Sequence, residues 1–306
     1  MSYNPFFYRW DFVKRRKLFF ILSLTLIALG LISLIFRGLN LSVDFTSGSR
    51  VEVLIGKPFT EAEIRNLLAP KNMIPSSFQM TGQGENLTAV LTYKGTITKE
   101  QFAELKTLFT EKYGKQVSLN ESTVSPQVGR ELAQKALLSV LIASIGIILY
   151  VTIRYEYRFA ISSVLALLHD TLIVIGIFSL IQVEVDLTFI VALLTIIGYS
   201  INDTIVTFDR IRENMRKMKI KKVEDVENLV NRSIQETLVR SVNTVMTVLF
   251  GAVALLIFGG PGVFTFSLAL TFGLFFGAYS SIFIASQLWV QWKEWDLKRA
   301  KLKPEA

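Results

Sequence analysis

The stretch Leu18–Phe36, LFFILSLTLIALGLISLIF, is an unbroken uncharged run between Lys17 and Arg37. At about 1.5 Å per residue, a helix of this length reaches roughly the thickness of a bilayer core. A secretory signal peptide would have a shorter apolar region, of about 7 to 15 residues, followed by a small-residue cleavage site. The chain continues instead through RGLN at residues 37–40. The stretch therefore predicts a retained transmembrane helix.

The composition of the whole chain favours a membrane protein. Hydrophobic residues make up 51% of the 306 residues, and the mean hydropathy is +0.44. A soluble domain of this size could not keep so apolar a surface wetted. The chain has no cysteine and a single histidine, which argues against disulfides, thiolate ligands and a histidine-rich metal centre. We therefore expect neither a metal site nor a cofactor.

Five further charge-poor runs predict five more spans after the first one at residues 18–36. They lie at residues 136–153, 159–181, 187–208, 239–258 and 264–290. Each is long enough to cross a bilayer as a helix. The sequence thus predicts an all-α membrane bundle of six transmembrane helices, with residues 136–290 forming a five-helix region.

The basic residues predict the orientation of this bundle. The formal net charge of +8 could indicate a nucleic-acid partner, but lysine and arginine concentrate in residues 1–17, in a loop at 209–238 and in residues 291–306. The short connections at 182–186 and 259–263 contain neither. By the positive-inside rule, both termini and the basic loop are cytoplasmic, in a multi-pass membrane protein. The charge is then explained without nucleic acid, with anionic membrane lipids as a secondary contact.

Residues 37–135, between the first two spans, predict an extracytoplasmic domain with a small core of its own. Capping boxes at Thr60–Glu63 and Thr98–Gln101 predict the starts of two helices, the second ending at Gly114. Four runs predict strands, at residues 50–55, 77–80, 87–93 and 117–124. The resulting order β-α-β-β-α-β is that of an inserted α+β domain with a ferredoxin-like fold.

Ionisable side chains inside the predicted spans are the candidate functional residues. Asp170 lies near the middle of the third span beside His169, Asp203 lies near the cytoplasmic end of the fourth, and Arg240 lies near the start of the fifth. Such groups are costly in a membrane and often mark ion pathways. Because the fourth and fifth spans meet at the same side, Asp203 and Arg240 can form a pair. We expect Asn202, Thr204 and Asn243 to contribute hydrogen bonds around them.

A structural interpretation of the same residues remains open. Asp203 and Arg240 could form a static ion pair that clamps two helices, or Arg240 could extend its charge to the headgroup region. For His169, a packing role is favoured over proton relay. No phosphate-binding loop occurs in the sequence, so nucleotide hydrolysis by this chain is not expected.

Several motifs resemble the SecD/SecF family of protein-translocation accessory proteins, a branch of the resistance-nodulation-division superfamily, and the smaller SecF half in particular. The longest match is GYSINDTIV at residues 198–206, followed by FDRIREN at 208–214. Shorter matches are LHD at 168–170, Arg240 with Asn243 and Thr244, AYSSIFIA at 278–285 and VDFT at 43–46. Two positions depart from the family pattern: Ser47 stands where a first of two glycines is usual, and Ser125 replaces a glycine.

The resemblance implies a function that composition and spacing do not. It implies association with SecD, separate or fused, and with the SecYEG channel, with YajC and YidC as further candidate partners. It also implies that the proton-motive force is used to promote preprotein translocation, without hydrolytic chemistry of the chain's own. Two alternatives remain: a proton-independent assembly or scaffold subunit of the translocon, and a small-molecule exporter of the same superfamily.

Overall fold

The protein is a membrane helical protein with a small inserted domain that contains both helices and a β-sheet. A computed structural model describes residues 10–301, apart from residues 83, 219 and 221. For residues 300 and 301 it describes the backbone alone. In chain order its elements are α1 (Arg16–Arg37), α2 (Val43–Thr46), β1 (Gly48–Leu54), α3 (Glu61–Leu68), β2 (Ser77–Thr81), β3 (Thr88–Tyr93), α4 (Lys99–Tyr113), β4 (Ser118–Val124), α5 (Pro126–Arg154), α6 (Tyr157–Ile181), α7 (Leu187–Lys217), α8 (Val223–Phe258), α9 (Pro261–Ser280) and α10 (Ser286–Lys301). A π-helical segment, Ser281–Ala285, joins α9 to α10.

Six helices in the described part of the chain are long and apolar enough to cross a membrane. They are α1, α5, α6, α7, α8 and the continuous helix from α9 into α10. Each predicted span lies inside one of these helices. The prediction of a multi-pass membrane protein is therefore confirmed.

The helices α7 and α8 extend well beyond their predicted spans. The segment expected to be a basic loop at 209–238 is largely helical, because α7 continues to Lys217 and α8 starts at Val223. Both extensions bury an apolar stripe, which includes Ile211, Leu229 and Ile234. The charge-poor runs in the sequence end where these amphipathic extensions, with their charged faces, begin. Lys219 and Lys221, which were part of the predicted basic loop, lie outside the described residues.

The inserted domain contains the predicted succession of strands and helices. Its four strands form one antiparallel sheet in the order β2-β3-β1-β4. The helices α3 and α4 start at the two predicted capping boxes, in which the side chains and backbone amides of Thr60 and Glu63, and of Thr98 and Gln101, bond reciprocally. Apolar side chains of one sheet face pack against these helices to form the domain core: Val51, Val53, Ile64, Leu68, Leu91, Leu105 and Phe109.

The opposite face of the sheet rests on the connection between α6 and α7. Thr92 of β3 donates a hydrogen bond of 3.0 Å to Glu184, and Arg50 of β1 lies 3.7 Å from the Asp186 carboxylate. Burial raises the pKa of Glu184, an effect that the Arg50 charge and the Thr92 hydrogen bond offset in part. The domain is thus attached to the helical bundle through buried polar contacts, which are sensitive to protonation.

The backbone conformation at the joint between α2 and β1 explains why two glycines are usual at these positions in the family pattern. Ser47 has a φ of 66° and Gly48 a φ of 132°, backbone conformations that favour glycine. A side chain on Gly48 would also collide with the Tyr93 carbonyl. Two consecutive glycines would suit these positions, and Ser47 adopts the conformation with some backbone strain.

The helical bundle has two apolar clusters with a polar layer between them. The cluster nearer to the inserted domain includes Phe178, Phe189, Leu193, Leu270 and Leu274. The cluster at the other end of the bundle includes Phe159, Phe208, Ala285 and Trp289. Polar side chains of α6, α7 and the end of α9 lie at the intervening positions, and this layer is the candidate site.

Close helix contacts surround the layer. At the crossing of α1 and α6, a Cβ atom on Gly30 would lie 2.8 Å from Gly176 Cα. On α9, Gly277 lies against Ser200 of α7, where an added Cβ would come within 3.3 Å of the serine Cβ. Small residues at these positions let the backbones approach, so polar groups on neighbouring helices come within hydrogen-bonding distance.

Ion pairs fix the end of the bundle opposite to the inserted domain. Arg16 of α1 forms a bidentate pair with Glu294 of α10, with distances of 2.5 and 2.9 Å. Arg158 of α6 pairs with Asp296 of α10. The helix α10 is therefore tied to both α1 and α6.

Candidate functional site

Asp170 is the centre of a hydrogen-bond network in the polar layer. It is 1% exposed. Its Oδ2 accepts hydrogen bonds from Ser200 of α7 at 2.5 Å and from Ser280 at the end of α9 at 2.7 Å. Its Oδ1 lies 2.8 Å from Nδ1 of His169. Three helices thus meet at one carboxylate, because Gly277 leaves room for α9 beside Ser200.

His169 connects this carboxylate to α1. Its Nε2 atom lies 2.9 Å from the Ser23 hydroxyl, which in turn lies 3.1 Å from the hydroxyl of Tyr279. The Tyr279 hydroxyl donates to the Phe19 carbonyl at 3.0 Å. The ring of Tyr279 also stacks on the imidazole of His169. Both ring nitrogens of His169 have partners, so the histidine can hold a proton on either side or on both.

Asp203 lies on α7 about one helical turn after Ser200, and its environment differs from that of Asp170. It is 7% exposed. The hydroxyl groups of Ser241 on α8 and Ser281 in the π-helical segment lie next to its carboxylate. Its Oδ2 atom is nevertheless buried without a hydrogen-bond partner, as is the Ser241 hydroxyl. A buried carboxylate oxygen without a donor strongly disfavours the ionised form.

Arg240 is close enough to interact electrostatically with Asp203. Among the described residues, however, no ion pair within 4.0 Å joins the two side chains, and Arg240 is exposed on the outer surface of α8. The direct pair that sequence reasoning allowed is therefore not formed. A nearby but separate cation can favour the charged carboxylate without fixing it in that state.

The predicted hydrogen-bond partners divide into two groups. Thr204 is buried, and its hydroxyl lies 2.9 Å from that of Ser281. Asn202 and Asn243, by contrast, are exposed and do not join the layer. The reason is helical geometry: a neighbour in sequence is rotated by about 100° around the helix axis, so Asn202 faces outward when Asp203 faces inward.

The structure adds hydroxyl-bearing residues to which the sequence alone assigned no individual role. They are Ser23 and, from the quoted motifs, Ser200, Tyr279, Ser280 and Ser281. Serine is common in membrane helices and often bonds only to the carbonyl four residues earlier. A signal was present in the pair Ser280–Ser281, two adjacent hydroxyls in an apolar run, but the partners depend on helix packing.

This arrangement can bind and release protons. Two buried carboxylates lie on adjacent helices, each with one basic side chain nearby, and hydroxyl groups that can donate or accept lie between them. Apolar clusters on both sides limit the access of water. The chemistry available to the layer is therefore the uptake and release of protons by buried carboxyl groups.

Comparison with protein families gives two matches. A family model for "Protein export membrane protein SecD/SecF, C-terminal" matches residues 104–295. A second, for the "SecD/SecF GG Motif", matches residues 32–58. That range includes the joint with Ser47 and Gly48, so the motif is still recognised with one of its glycines replaced.

Similar proteins have been named in several bacteria. The protein translocase subunit SecF of Alicyclobacillus acidocaldarius is 42% identical, over 95% of this chain and 96% of the relative. The protein translocase subunit SecDF of Bacillus subtilis is 48% identical over 96% of this chain, which spans only 39% of that longer protein.

A solved structure has the same fold over most of the chain. It is the crystal structure of SecDF from Thermus thermophilus, described as a translocon-associated membrane protein. It is 36% identical, with a TM-score of 0.81 over 93% of this chain and 39% of that one. The family model covers more than half of the chain and the Alicyclobacillus relative aligns over nearly its full length, so this chain belongs to the SecD/SecF family of protein export membrane proteins.

Proposed function

We propose that the chain is an accessory subunit of the Sec protein-export machinery that, together with SecD, uses the proton-motive force to promote preprotein translocation across the cytoplasmic membrane. The single observation that carries the proton-coupled part is the state of Asp203. Its carboxylate is buried between two apolar clusters, and its Oδ2 has no hydrogen-bond donor. Burial of such a group costs little free energy when it is protonated and much more when it is ionised, so proton exchange changes the free energy of helix packing.

Arg240 completes the proposed mechanism. When Asp203 loses its proton, the attraction between its charge and the guanidinium of α8 increases; when it gains one, the attraction disappears. The packing of α7 against α8 then has two preferred arrangements, whose populations follow the protonation state. One proton moving through about 100 mV releases only about 2.3 kcal/mol. Useful work on a preprotein therefore requires several protons or many cycles.

The inserted domain would transmit this change to the substrate. We assign it to the ferredoxin-like class on the basis of its strand order and propose that it lies on the extracytoplasmic side. Both termini and the basic segment between α7 and α8 would then be cytoplasmic. The domain limits proposed are those expected from the sequence, with residues 37–135 outside and residues 136–290 forming the five-helix region.

The proposed partners follow from family membership and from the longer SecDF relatives. SecD is the first, since the Bacillus subtilis relative and the Thermus thermophilus structure both carry the combined name SecDF. The SecYEG channel, YajC and YidC follow as candidates from the resemblance alone. No hydrolytic step is assigned to this chain.

The test is a pair of substitutions that change charge with little change in shape. Asp203→Asn removes the titration and keeps the side-chain volume, and Arg240→Met removes the cation and keeps the span apolar. Both should abolish stimulation of preprotein export by a proton gradient in membrane vesicles, at near-normal protein abundance. Thr195→Val is the matched control on α7, because the Thr195 hydroxyl is exposed and bonds only to the Val191 carbonyl.

The alternatives predict different outcomes. A scaffold subunit would lose abundance or its association with partners first, as measured by immunoblot and pull-down. A small-molecule exporter would show efflux defects with unchanged export of preproteins. If both variants accumulate normally and respond fully to the gradient, the assignment to Asp203 and Arg240 is wrong, and Asp170 is the remaining carboxylate.

A further inference from the structure

The π-helical segment Ser281–Ala285 is the irregular part of the last membrane-spanning helix. Side chains from the next turn support it: the Ser286 hydroxyl donates to the Ser281 carbonyl at 2.8 Å, and the Gln287 amide to the Ile282 carbonyl at 3.3 Å. Both bonds reach back five residues, the spacing of a π-helix. Such segments are rare and occur frequently at functional sites. This one begins where the helix passes the two buried carboxylates.

Two consecutive hydroxyls at this point serve different carboxylates. Ser280 donates to Asp170 of α6 at 2.7 Å. Ser281 lies next to Asp203 of α7 and 2.9 Å from the Thr204 hydroxyl. Asp170 and Asp203 are therefore linked through one short piece of backbone.

The same two hydroxyls also share an acceptor. The carbonyl of Gly277 lies 3.1 Å from the Ser280 hydroxyl and 3.0 Å from that of Ser281. It already accepts the backbone N–H of Ser281. A carbonyl oxygen has two lone pairs, so it can take only one of the two hydroxyls in addition to that amide. When one serine donates to Gly277, the other has to donate elsewhere.

We propose that Ser280 and Ser281 are positioning residues that make the two carboxylates ionise alternately. This inference rests on the proposed proton-coupled function. When Asp170 is ionised, it holds the Ser280 hydroxyl, and Ser281 donates to the Gly277 carbonyl. When Asp170 takes up a proton, its own O–H becomes a donor, and Ser280 turns to Gly277. Ser281 then turns from Gly277 toward Asp203, whose Oδ2 gains the donor that it otherwise lacks.

The consequence is that the layer holds one proton at a time on its two carboxyl groups. Other titratable or charged groups face them as well: His169 and Tyr279 near Asp170, and Arg240 near Asp203. In the described part of the chain none of these side chains shares a hydrogen bond with Ser280 or Ser281, so the serine exchange involves none of them directly. The π-helical segment supplies the local freedom for it, since its backbone already departs from the α-helical pattern.

The test measures proton-driven stimulation of preprotein export in membrane vesicles as a function of pH. Ser281→Ala and Ser280→Ala should each lower the stimulation by about tenfold, the loss expected for one hydrogen bond to a charged group. For Ser281→Ala, the pH at half-maximal stimulation should also rise by about one unit, because the ionised carboxylate has lost a donor. Ser281→Thr keeps the hydroxyl and should restore both the stimulation and the pH profile.

The control is Ser267→Ala on the same helix. Ser267 is equally buried, but its hydroxyl bonds only to the carbonyls of Val263 and Phe264, so this variant should behave as the unmodified protein. The proposal is overturned if Ser281→Ala keeps full stimulation and an unshifted profile. It is also overturned if the stimulation falls equally at every pH and Ser281→Thr does not restore it, which indicates a packing role.

The outcome for Asp203→Asn separates this inference from the function on which it rests. If that variant loses stimulation while the serine variants do not, only the alternating ionisation is rejected. If Asp203→Asn and Arg240→Met both retain full stimulation, the assignment of proton coupling to Asp203 and Arg240 fails together with this inference, and Asp170 is the remaining carboxylate.

Discussion

The hydrogen bonds of Asp170 predict a large difference between two substitutions at that position. In Asp170→Ala, the hydroxyls of Ser200 and Ser280 and the ring of His169 all lose their partner. Ser280 can turn to the Gly277 carbonyl at 3.1 Å, which leaves two buried polar groups unpaired. At about 1 kcal/mol each, the low end of the cost of leaving a buried polar group unpaired, the loss is about 2 kcal/mol.

Asp170→Asn should cost much less. The amide oxygen can accept from Ser200 and Ser280, while the amide nitrogen donates to Nδ1 of His169. The imidazole then carries its proton on Nε2 and donates to Ser23, 2.9 Å away, so every hydrogen bond is kept by a change of tautomer. The expected cost is below about 1 kcal/mol.

Thermal unfolding of the purified protein in detergent provides the assay. A loss of about 2 kcal/mol lowers the melting temperature by about 4–8 °C in a protein somewhat smaller than this one, so a shift of a few degrees is expected for Asp170→Ala. Ser267→Ala serves as a control for a buried hydroxyl outside the network. An alanine variant that melts with the unmodified protein would refute the network's contribution. An asparagine variant as unstable as alanine would show that the charge of Asp170 itself is required.

Two further predictions concern the inserted domain. Because burial raises the pKa of Glu184, its protonated form favours the docked domain, and this stabilisation is lost as pH rises above the ordinary value of 4.5 through the raised pKa. Thermal melts at several pH values should therefore show that stability decreases over that range. Glu184→Gln keeps the acceptor for Thr92 and should flatten this pH dependence, so an unchanged slope in that variant would contradict the prediction. The proposed orientation predicts that, in intact cells, a cysteine introduced at the exposed position of Glu85 is labelled by an impermeant reagent, and one introduced at the exposed position of Lys222 is not. The chain has no cysteine of its own that would be labelled. Reversed labelling would overturn the proposed orientation.

Much of the fold could be predicted from local sequence. The uncharged run at Leu18–Phe36 and the five runs after it predict membrane helices because the cost of exposing so much apolar surface to water outweighs any other local preference. The two capping boxes predict the starts of α3 and α4, because the bonds concerned form within four consecutive residues. The helical extensions at either side of residue 220 were missed, since their stability comes from an apolar stripe that only packing against the bundle makes effective.

The candidate site divides in the same way. The sequence by itself determined that Asp170, Asp203 and Arg240 would be unusual, because an ionisable side chain within an apolar run is costly wherever the helix lies. Only the tertiary structure decided which polar groups meet. Ser23 and His169 are far apart in the chain and touch because α1 crosses α6, and Ser280 reaches Asp170 because Gly277 lets α9 approach α7. Hydrogen bonds need partners within about 3 Å in a defined direction, and distances of that size between helices are set by how the side chains of the whole bundle pack.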